Sequence, residues 1–363
     1  MISNKIRGCL LGGAIGDALG YQIEFKQGIQ DKQVTRFEHD FGIISDDTQM
    51  MLFTANALLW RYTRGVCRGI TMPSAESVRH GYLDWLDTQT DQRAHESISW
   101  IKEIPELNRR RAPGNTCLSA LLSTLHDNQI GTIAKQINNS KGCGTVMRIA
   151  PCGVMTEDPH EAGKLAAECA AITHGHPLAI IPSYVCAAMI SLLIHHNATI
   201  EKAVMTSLNL IRKNRKLFNI KARVFEKDDI DVFVDLITKA IDLSKQNVTD
   251  TDAIKMLGQG WVADEAFAIA IYACLKYSDS FEDVVVCAVN HDGDSDSTGV
   301  IAGNIIGAAL GVSKIPPYYA DRVELKNVIL EISDDIIKAK DESFDICQDN
   351  KWLQKYLYIR QIN

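Results

Sequence analysis

The sequence predicts an all-α protein. Apolar and small residues recur at the 3.6-residue spacing of a helix in several segments, and Pro or Gly residues fall between those segments. The strict alternation of apolar and polar residues that marks a half-buried strand is absent. The chain has 363 residues, 46% hydrophobic and 23% charged, so it can bury a large core. Composition alone leaves one large domain and two smaller domains open.

Five segments are predicted to be helical or largely helical. From Ile6, apolar or small residues stand at positions 6, 9, 10, 13, 14, 18 and 19, and the glycines among them would let a neighbouring helix approach closely. The same rhythm marks helices around residues 51–59, 263–275 and 300–310. The segment 212–252 is more polar, and we expect solvent-facing helices and loops there.

A further segment, Pro177 to Ile200, contains no Asp, Glu, Lys or Arg. Its length suits a membrane span, but Pro182 and the pair His195-His196 interrupt it. We therefore expect a buried core helix and no membrane association.

Net charge and cysteine spacing argue against a nucleic-acid-binding protein and against a zinc protein. The net charge is −7 and no basic block or aromatic ladder is present, so nucleic acid is not expected as a direct ligand. The cysteines lack a CxxC pair and zinc-site spacing, and we expect reduced core thiols in a cytoplasmic protein. The ten are Cys9, Cys67, Cys117, Cys143, Cys152, Cys169, Cys186, Cys274, Cys287 and Cys347.

Two short acidic clusters carry the strongest chemical signal. The first acidic cluster is residues 45–48, Ser-Asp-Asp-Thr, and the second acidic cluster is residues 292–298, Asp-Gly-Asp-Ser-Asp-Ser-Thr. Adjacent carboxylates repel one another at low dielectric, so a fold that concentrates them usually supplies a cation. Hydroxyls and carboxylates make an all-oxygen ligand set, which favours Mg²⁺, Mn²⁺ or Ca²⁺ over zinc. If the fold brings the clusters together, they could hold one or two such ions.

Helix capping is an alternative interpretation of both clusters, whereas an EF-hand loop is not expected. Both clusters precede helical segments, and Ser, Thr and Asp are preferred as helix N-caps. Capping explains one oxygen per helix, not five carboxylates. The second acidic cluster also resembles the start of an EF-hand loop, but position 6 would be Ser297 instead of Gly and position 12 would be Gly303 instead of Glu.

Seven ordered motifs together resemble the ADP-ribosylglycohydrolase family, which includes the dinitrogenase reductase-activating glycohydrolases. They occupy residues 12–20 with Glu24 just beyond, 45–48, 111–116, 142–151, 173–177, 260–266 and 293–298. The resemblance implies a single all-α domain over residues 1–363, with a motif-bearing core at about 6–311 and C-terminal helices at 318–363. It also implies a cleft with two Mg²⁺ ions, for which Mn²⁺ is an alternative.

The resemblance assigns metal ligands residue by residue. One ion would be bound by Ser45, Asp46, Asp47 and Asp296, and the other by Asp294, Asp296 and Ser297, so that Asp296 is shared. Ser45 and Ser297 stand where many relatives have Thr, which preserves the hydroxyl, and Asp292 stands where Gly is frequent, which adds charge.

The resemblance also implies substrate-binding residues. The glycine-rich turn would cradle ADP-ribose phosphates, with Arg148 nearby, while His174 would donate to the ribose or a phosphate and Trp261 would wall the cleft. The turn consists of Gly142, Cys143, Gly144 and Thr145. For these positions a tight interhelical turn, a buried ion pair, a core histidine and a core tryptophan remain the structural alternatives.

Catalysis would fall to a carboxylate. Asp47 or Glu24 could take or deliver a proton during cleavage of the glycosidic bond, and the residues do not decide between them. Glu24 could also act as a gate over the cleft. Asp17 is expected to be structural and to orient the first acidic cluster.

The predicted function is removal of ADP-ribose from modified proteins. The Ser-containing second motif is closer to the arginine-directed branch of the family, so ADP-ribosyl-arginine is the expected substrate, with ADP-ribose as product. A hydrolase of serine-linked or O-acyl ADP-ribose is an alternative. Another is an immunity-type protein that occludes a cognate ADP-ribosyltransferase.

Overall fold

The computed structural model describes residues 1–26, 33–90, 95–218 and 227–358. Sixteen α-helices occupy these residues, joined by short loops and 3₁₀ turns. Gly42 and Val323, and Gly142 and Val262, form isolated bridges, and no β-strand occurs in these ranges. The all-α prediction is confirmed. The helices are α1 Ile2–Tyr21, α2 Asp46–Arg68, α3 Ser74–Gln89, α4 Asn115–Asp127, α5 Ala150–Met155, α6 Pro159–Ala171, α7 Pro177–His195, α8 Ile200–Lys213, α9 Asp229–Ser244, α10 Asp250–Leu257, α11 Ala263–Lys276, α12 Phe281–Val289, α13 Ser295–Leu310, α14 Pro317–Arg322, α15 Lys326–Ala339 and α16 Asn350–Tyr356.

Helices α1 and α13 pack backbone to backbone through matching glycines, as the glycine spacing of α1 predicts. A Cβ atom placed on Gly16 would lie 1.9 Å from the carbonyl oxygen of Gly299, and one on Gly12 would lie 2.5 Å from that of Gly303. Only hydrogen fits at these positions. The contact matters for function because α1 carries Asp17, while α13 begins inside the second acidic cluster.

Helix α7 is the buried core helix that the sequence predicts. It is the one helix in the described ranges that is long and apolar enough to cross a membrane, with a mean hydropathy of 2.1, and its apolar window is wholly buried inside the protein. Pro182 lies within the helix and does not end it. One cluster of buried side chains surrounds it and extends from Ile6 to Tyr356.

The polar segment 212–252 contains the end of α8, then α9 and the start of α10. Helix α9 buries one apolar face that includes Phe233 and Ile237 and exposes the other, as predicted. Residues 219–226 of this segment, and residues 359–363 of the predicted C-terminal helices, lie outside the described ranges.

The prediction that all cysteines are reduced core residues is wrong for Cys67 and Cys347. They form a disulfide with a Cα–Cα distance of 5.4 Å, 280 residues apart in sequence. It joins the end of α2 to the segment before α16, a contact that only the tertiary fold creates. The other eight cysteines are free, and all of them except the half-buried Cys143 are buried.

Candidate metal-binding active site

The first acidic cluster is held by Asp17 of α1. Its carboxylate accepts hydrogen bonds from the backbone N–H groups of Ser45 and Thr48, at 3.0 and 3.1 Å, and from the Thr48 hydroxyl. Asp17 is completely buried, and burial raises its pKa to about 6. The predicted structural role of Asp17 is confirmed, because these bonds fix the turn that opens α2.

Both acidic clusters also cap the helices that follow them. The Ser45 hydroxyl accepts from the N–H of Asp47 at 3.2 Å, and Asp294 accepts from the N–H of Ser297 at 3.2 Å. Capping therefore accounts for one side chain in each cluster. Helix α13 begins at Ser295, so the region from residue 292 onward does not form a twelve-residue EF-hand loop. This agrees with the sequence, which lacks the Gly and Glu that such a loop needs.

The fold brings the two clusters together. The Ser297 hydroxyl donates to Asp47 Oδ2 at 2.9 Å across 250 residues of sequence. Glu24, just beyond α1, offers a carboxylate oxygen within 4.8 Å of oxygens from Asp294 and Asp296. We call this group the acidic cleft, after the cleft that the family resemblance implies; it is formed by Glu24, Ser45, Asp46, Asp47, Asp294, Asp296 and Ser297. Its four aspartates are each at most 4% exposed.

The carboxylates of the acidic cleft carry strongly perturbed pKa values. Burial, followed by repulsion from Asp296, raises the pKa values of Asp46 and Asp47 well above their usual range. Burial raises the pKa of Asp294 to about 6, and burial together with repulsion from Asp296 raises that of Glu24 to about 9. In the part of the chain that the structure describes, the Lys and Arg ion pairs involve other carboxylates.

This donor set suits a hard divalent cation. Five carboxylates and two hydroxyls provide only oxygen ligands, and Glu24 Oε2 is a buried oxygen without a hydrogen-bond partner. A cation would offset the repulsion that, after burial, raises these pKa values. The acidic groups could therefore hold metal ions, as the sequence predicts, whereas their identity as Mg²⁺ stays a prediction. Asp292 is exposed at the edge of this region.

The glycine-rich turn at residues 142–145 borders the acidic cleft. The Cys143 thiol donates to Asp294 Oδ2 at 2.7 Å, and the Cys143 N–H donates to the carbonyl of Trp261 at 3.3 Å. Thr145 is buried and donates to the carbonyl of Ala179. The turn thus lies directly beside the second acidic cluster.

His174 packs on the inner side of this turn. A Cβ atom on Gly142 would lie 2.9 Å from His174 Nε2, and one on Gly144 would lie 3.2 Å from the same ring, so both glycines permit the close approach. The ring is 2% exposed, and burial lowers the pKa of His174 to about 3, which keeps it neutral. Its predicted contact with ADP-ribose stays a prediction.

Arg148 is fully buried behind His174. Its guanidinium donates to the Thr173 hydroxyl at 2.7 Å and lies 4.2 Å from the ring centre of Tyr82. The Thr173 hydroxyl in turn lies 2.8 Å from His174 Nδ1. Arg148 therefore supports the glycine-rich turn from inside, through polar and aromatic partners, and its predicted proximity to the phosphates stays a prediction.

Trp261 lies at the surface. Its side chain is 42% exposed, which excludes the core-packing alternative. The preceding Gly260 adopts a φ of +84°, and a Cβ atom there would lie 2.9 Å from the Thr298 methyl group. The segment that carries Trp261 is thus pressed against the second acidic cluster, and a wall of the cleft remains its predicted role.

Sequence reasoning missed Glu324. Its carboxylate accepts from Arg111 at 2.9 Å and from the N–H of Ile44 at 3.3 Å. The carbonyl of Arg111 accepts from the N–H of Asp46 at 3.0 Å. Glu324 therefore connects the C-terminal region to the first acidic cluster, and no local motif around it signals this contact.

Known proteins share this sequence pattern and fold. The sequence profile of the ADP-ribosylglycohydrolase family matches residues 2–345. The chain is 24% identical over 338 residues to the ADP-ribosyl-[dinitrogen reductase] glycohydrolase of Rhodospirillum rubrum, covering 90% of this chain and 92% of that protein. It is 23% identical to an ADP-ribosylarginine hydrolase of Pseudomonas putida, covering 92% of this chain and 78% of that protein.

A solved structure has the same fold. It is an ADP-ribosylglycohydrolase-related protein complex, and it superposes with a TM-score of 0.65 at 20% identity, covering 94% of this chain and 99% of that one. Together with the profile match over nearly the whole chain, this shows that the chain belongs to the ADP-ribosylglycohydrolase family.

Proposed function

We propose that this protein hydrolyses the glycosidic bond between ADP-ribose and an arginine side chain of a modified protein, with Mg²⁺ or Mn²⁺ in the acidic cleft. The observation that carries the proposal is the contact of Ser297 with Asp47, which joins two acidic clusters into one buried carboxylate group. Membership in the family supports the reaction class. The names of the relatives from Rhodospirillum rubrum and Pseudomonas putida support a protein-linked substrate.

The two acidic clusters would divide the ligand role. Asp46 and Asp47 with Ser45 would supply ligands from the start of α2, and Asp294 and Asp296 with Ser297 would supply them from the start of α13. A divalent ion held there would supply positive charge that orients the ribose hydroxyls and makes water easier to deprotonate. The two proton transfers of the reaction can be assigned to side chains of the protein.

Glu24 is the best placed proton donor. It is half-buried, it lies beside Asp294 and Asp296, and it is not among the side chains that the motifs assign to the metal ions. Without metal, burial and repulsion from Asp296 raise its pKa to about 9, which favours the protonated form. Bond cleavage at C1″ develops oxocarbenium character on the ribose and leaves an electron pair on the departing nitrogen. Glu24 would give its proton to that nitrogen, and Asp47 would take a proton from the attacking water.

The charge of the cleft favours an arginine-linked substrate. The overall charge of −7, with the exposed Asp292 at the edge of the cleft, attracts a cationic guanidinium and offers no corresponding attraction to a neutral serine linkage. By resemblance, the Ser-containing form of the second motif, which includes Ser297, is closer to the arginine-directed branch of the family.

Matched peptides test the linkage. Peptides of the same sequence that carry ADP-ribosyl-arginine or ADP-ribosyl-serine would be incubated with equal amounts of the protein, and released ADP-ribose would be measured. The proposal expects faster release from arginine. Faster release from serine would overturn the linkage and leave the hydrolase assignment intact, whereas tight binding without release would favour an occluding protein.

A further inference from the structure

A second group of metal-type donors lies on α3 and the segment that follows it. Asp84, Asp87 and His95 each offer one ligand atom, and these atoms lie within 4.8 Å of one another. The side chains of Asp84 and Asp87 are 0% and 1% exposed, and that of His95 is 10% exposed. The group shares no residue with the acidic cleft.

Two buried polar atoms of this group have no hydrogen-bond partner. They are Asp87 Oδ1 and His95 Nδ1. His95 Nε2 lies 3.0 Å from Asp84 Oδ1, and Nδ1 lies 3.7 Å from Asp87 Oδ2, so the imidazole is placed between the two carboxylates. Unpaired buried polar atoms are costly, and each one in a folded protein calls for a physical explanation.

Lys102 already places a positive charge beside this group. Its ammonium contacts Asp87 Oδ2 and lies 3.8 Å from Asp84 Oδ1. Its ammonium pairs with Asp87 Oδ2 and leaves Asp87 Oδ1 and His95 Nδ1 without a hydrogen-bond partner. The side chain is 16% exposed, and its flexible stem allows the ammonium to turn toward solvent.

We propose that Asp84, Asp87 and His95 form a separate site for a divalent transition-metal ion of the Zn²⁺ or Co²⁺ type, which displaces the Lys102 ammonium. One imidazole and two carboxylates are ligands that such ions accept, whereas the all-oxygen acidic cleft suits harder ions. Bonds of about 2.0–2.2 Å place tetrahedral ligands about 3.4 Å apart. The ligand atoms already lie within 4.8 Å of one another, so small side-chain movements would bring both carboxylates and one nitrogen of His95 to a single ion. Water would supply the remaining ligand.

The ion would also stabilise the chain that supports the first acidic cluster. Asp84 also accepts from the N–H of Ile98 at 2.9 Å, which ties α3 to the segment after it. That segment leads to Arg109, whose carbonyl accepts from Gln49 at 2.9 Å, and on to Arg111, whose carbonyl accepts from Asp46. A bound ion would therefore fix α3 against the chain that supports the first acidic cluster.

Cobalt titration tests this site without using hydrolysis as the readout. The protein would be kept in excess Mg²⁺, so that hard-ion sites are filled, and titrated with Co²⁺ while its visible absorption is followed. The proposal expects one equivalent with the intense spectrum of a tetrahedral site. His95→Asn should weaken this binding at least tenfold, while the matched variant His126→Asn, at an exposed histidine on α4, should bind like the wild type.

Two further variants keep the test decisive. Asp87→Asn preserves the shape of the side chain and should also lose the cobalt spectrum, which covers the case in which His95→Asn fails to fold. Lys102→Met should bind Co²⁺ more tightly, because it removes the competing charge. An absent tetrahedral spectrum in the wild type, or an equal spectrum in folded His95→Asn and Asp87→Asn, would overturn the site.

Discussion

Asp296 is the residue on which the acidic cleft depends most. Repulsion from its carboxylate contributes to the raised pKa values of Asp46, Asp47 and Glu24. It therefore lies at the electrostatic centre of the group, in agreement with the shared-ligand role that the sequence motif implies.

Asp296→Asn should abolish hydrolysis, reducing ADP-ribose release below a tenth of wild type, because it removes an anionic ligand from the centre of the cleft. Without metal, the variant should melt at a higher temperature than wild type, since one buried like charge is gone. Mg²⁺ binding should also weaken. Release assays, melting curves in EDTA and calorimetric titration with Mg²⁺ would measure the three effects. The control is Asp127→Asn, an exposed residue at the end of α4. Activity retained above one tenth would refute the central role of Asp296.

Glu24→Gln should separate proton transfer from metal binding. The amide keeps the shape of the side chain but cannot supply the proton, so the rate of hydrolysis should fall about 10²- to 10⁴-fold. Calorimetric affinity for Mg²⁺ should fall less than it does in Asp296→Asn. A variant with normal turnover would show that another group donates the proton, and Asp47 would be the next candidate.

At the level of helices, the functional geometry depends on the contact between α1 and α13. The two helices carry Asp17 and Asp296, and their glycines set the distance between the backbones. Any separation of the helices would therefore displace the carboxylates relative to one another.

Gly16→Ala should force the helices apart, because its Cβ would lie 1.9 Å from the carbonyl oxygen of Gly299. We expect a loss of about 1–3 kcal/mol in the free energy of unfolding, together with weaker Mg²⁺ binding. Urea denaturation measures the first and calorimetry the second. Gly65→Ala in α2 is the matched control, since its nearest neighbour would be 3.7 Å away and alanine favours a helix. Equal stability of the two variants would contradict the close packing.

The elements nearest the site could be predicted from sequence because their signals are local. Periodic apolar residues predict α1, α2, α11 and α13, and the acidic clusters lie at the N-terminal capping positions of α2 and α13. The sequence does not predict whether a polar side chain near the site faces the cleft or the protein interior. Arg148 and His174 carry polar groups that suit a phosphate, yet they pack beneath the glycine-rich turn, and only tertiary structure reveals this.

Over the whole molecule, contacts between distant parts of the chain were the least predictable. The ion pair of Arg111 with Glu324 and the disulfide of Cys67 with Cys347 join the C-terminal region to the body that holds the site. Neither partner stands in a pattern that points to the other, because the pairing arises from the path of the chain and not from local periodicity. The sequence alone does not predict that the two acidic clusters meet. It predicts only that they could bind metal ions if the fold brought them together.

Divalent metal should stabilise the whole protein. A ligand that binds only the folded state adds about 2.7 kcal/mol at a concentration of 100 times its dissociation constant. Melting curves in millimolar Mg²⁺ should therefore lie above those in EDTA, and the difference should shrink in Asp296→Asn. Identical melting curves of the wild type with and without Mg²⁺ would count against the cleft as a Mg²⁺ site.

Release of ADP-ribose with and without metal tests the central claim most directly. Purified protein would be incubated with an ADP-ribosyl-arginine peptide in Mg²⁺, in EDTA, and in EDTA followed by excess Mg²⁺. The account predicts release in Mg²⁺, loss of release in EDTA and recovery when Mg²⁺ is restored, with Asp296→Asn inactive throughout. Equal release in EDTA, or no release in Mg²⁺ from arginine-, serine- and cysteine-linked substrates alike, would contradict a metal-dependent ADP-ribosyl hydrolase site in the acidic cleft.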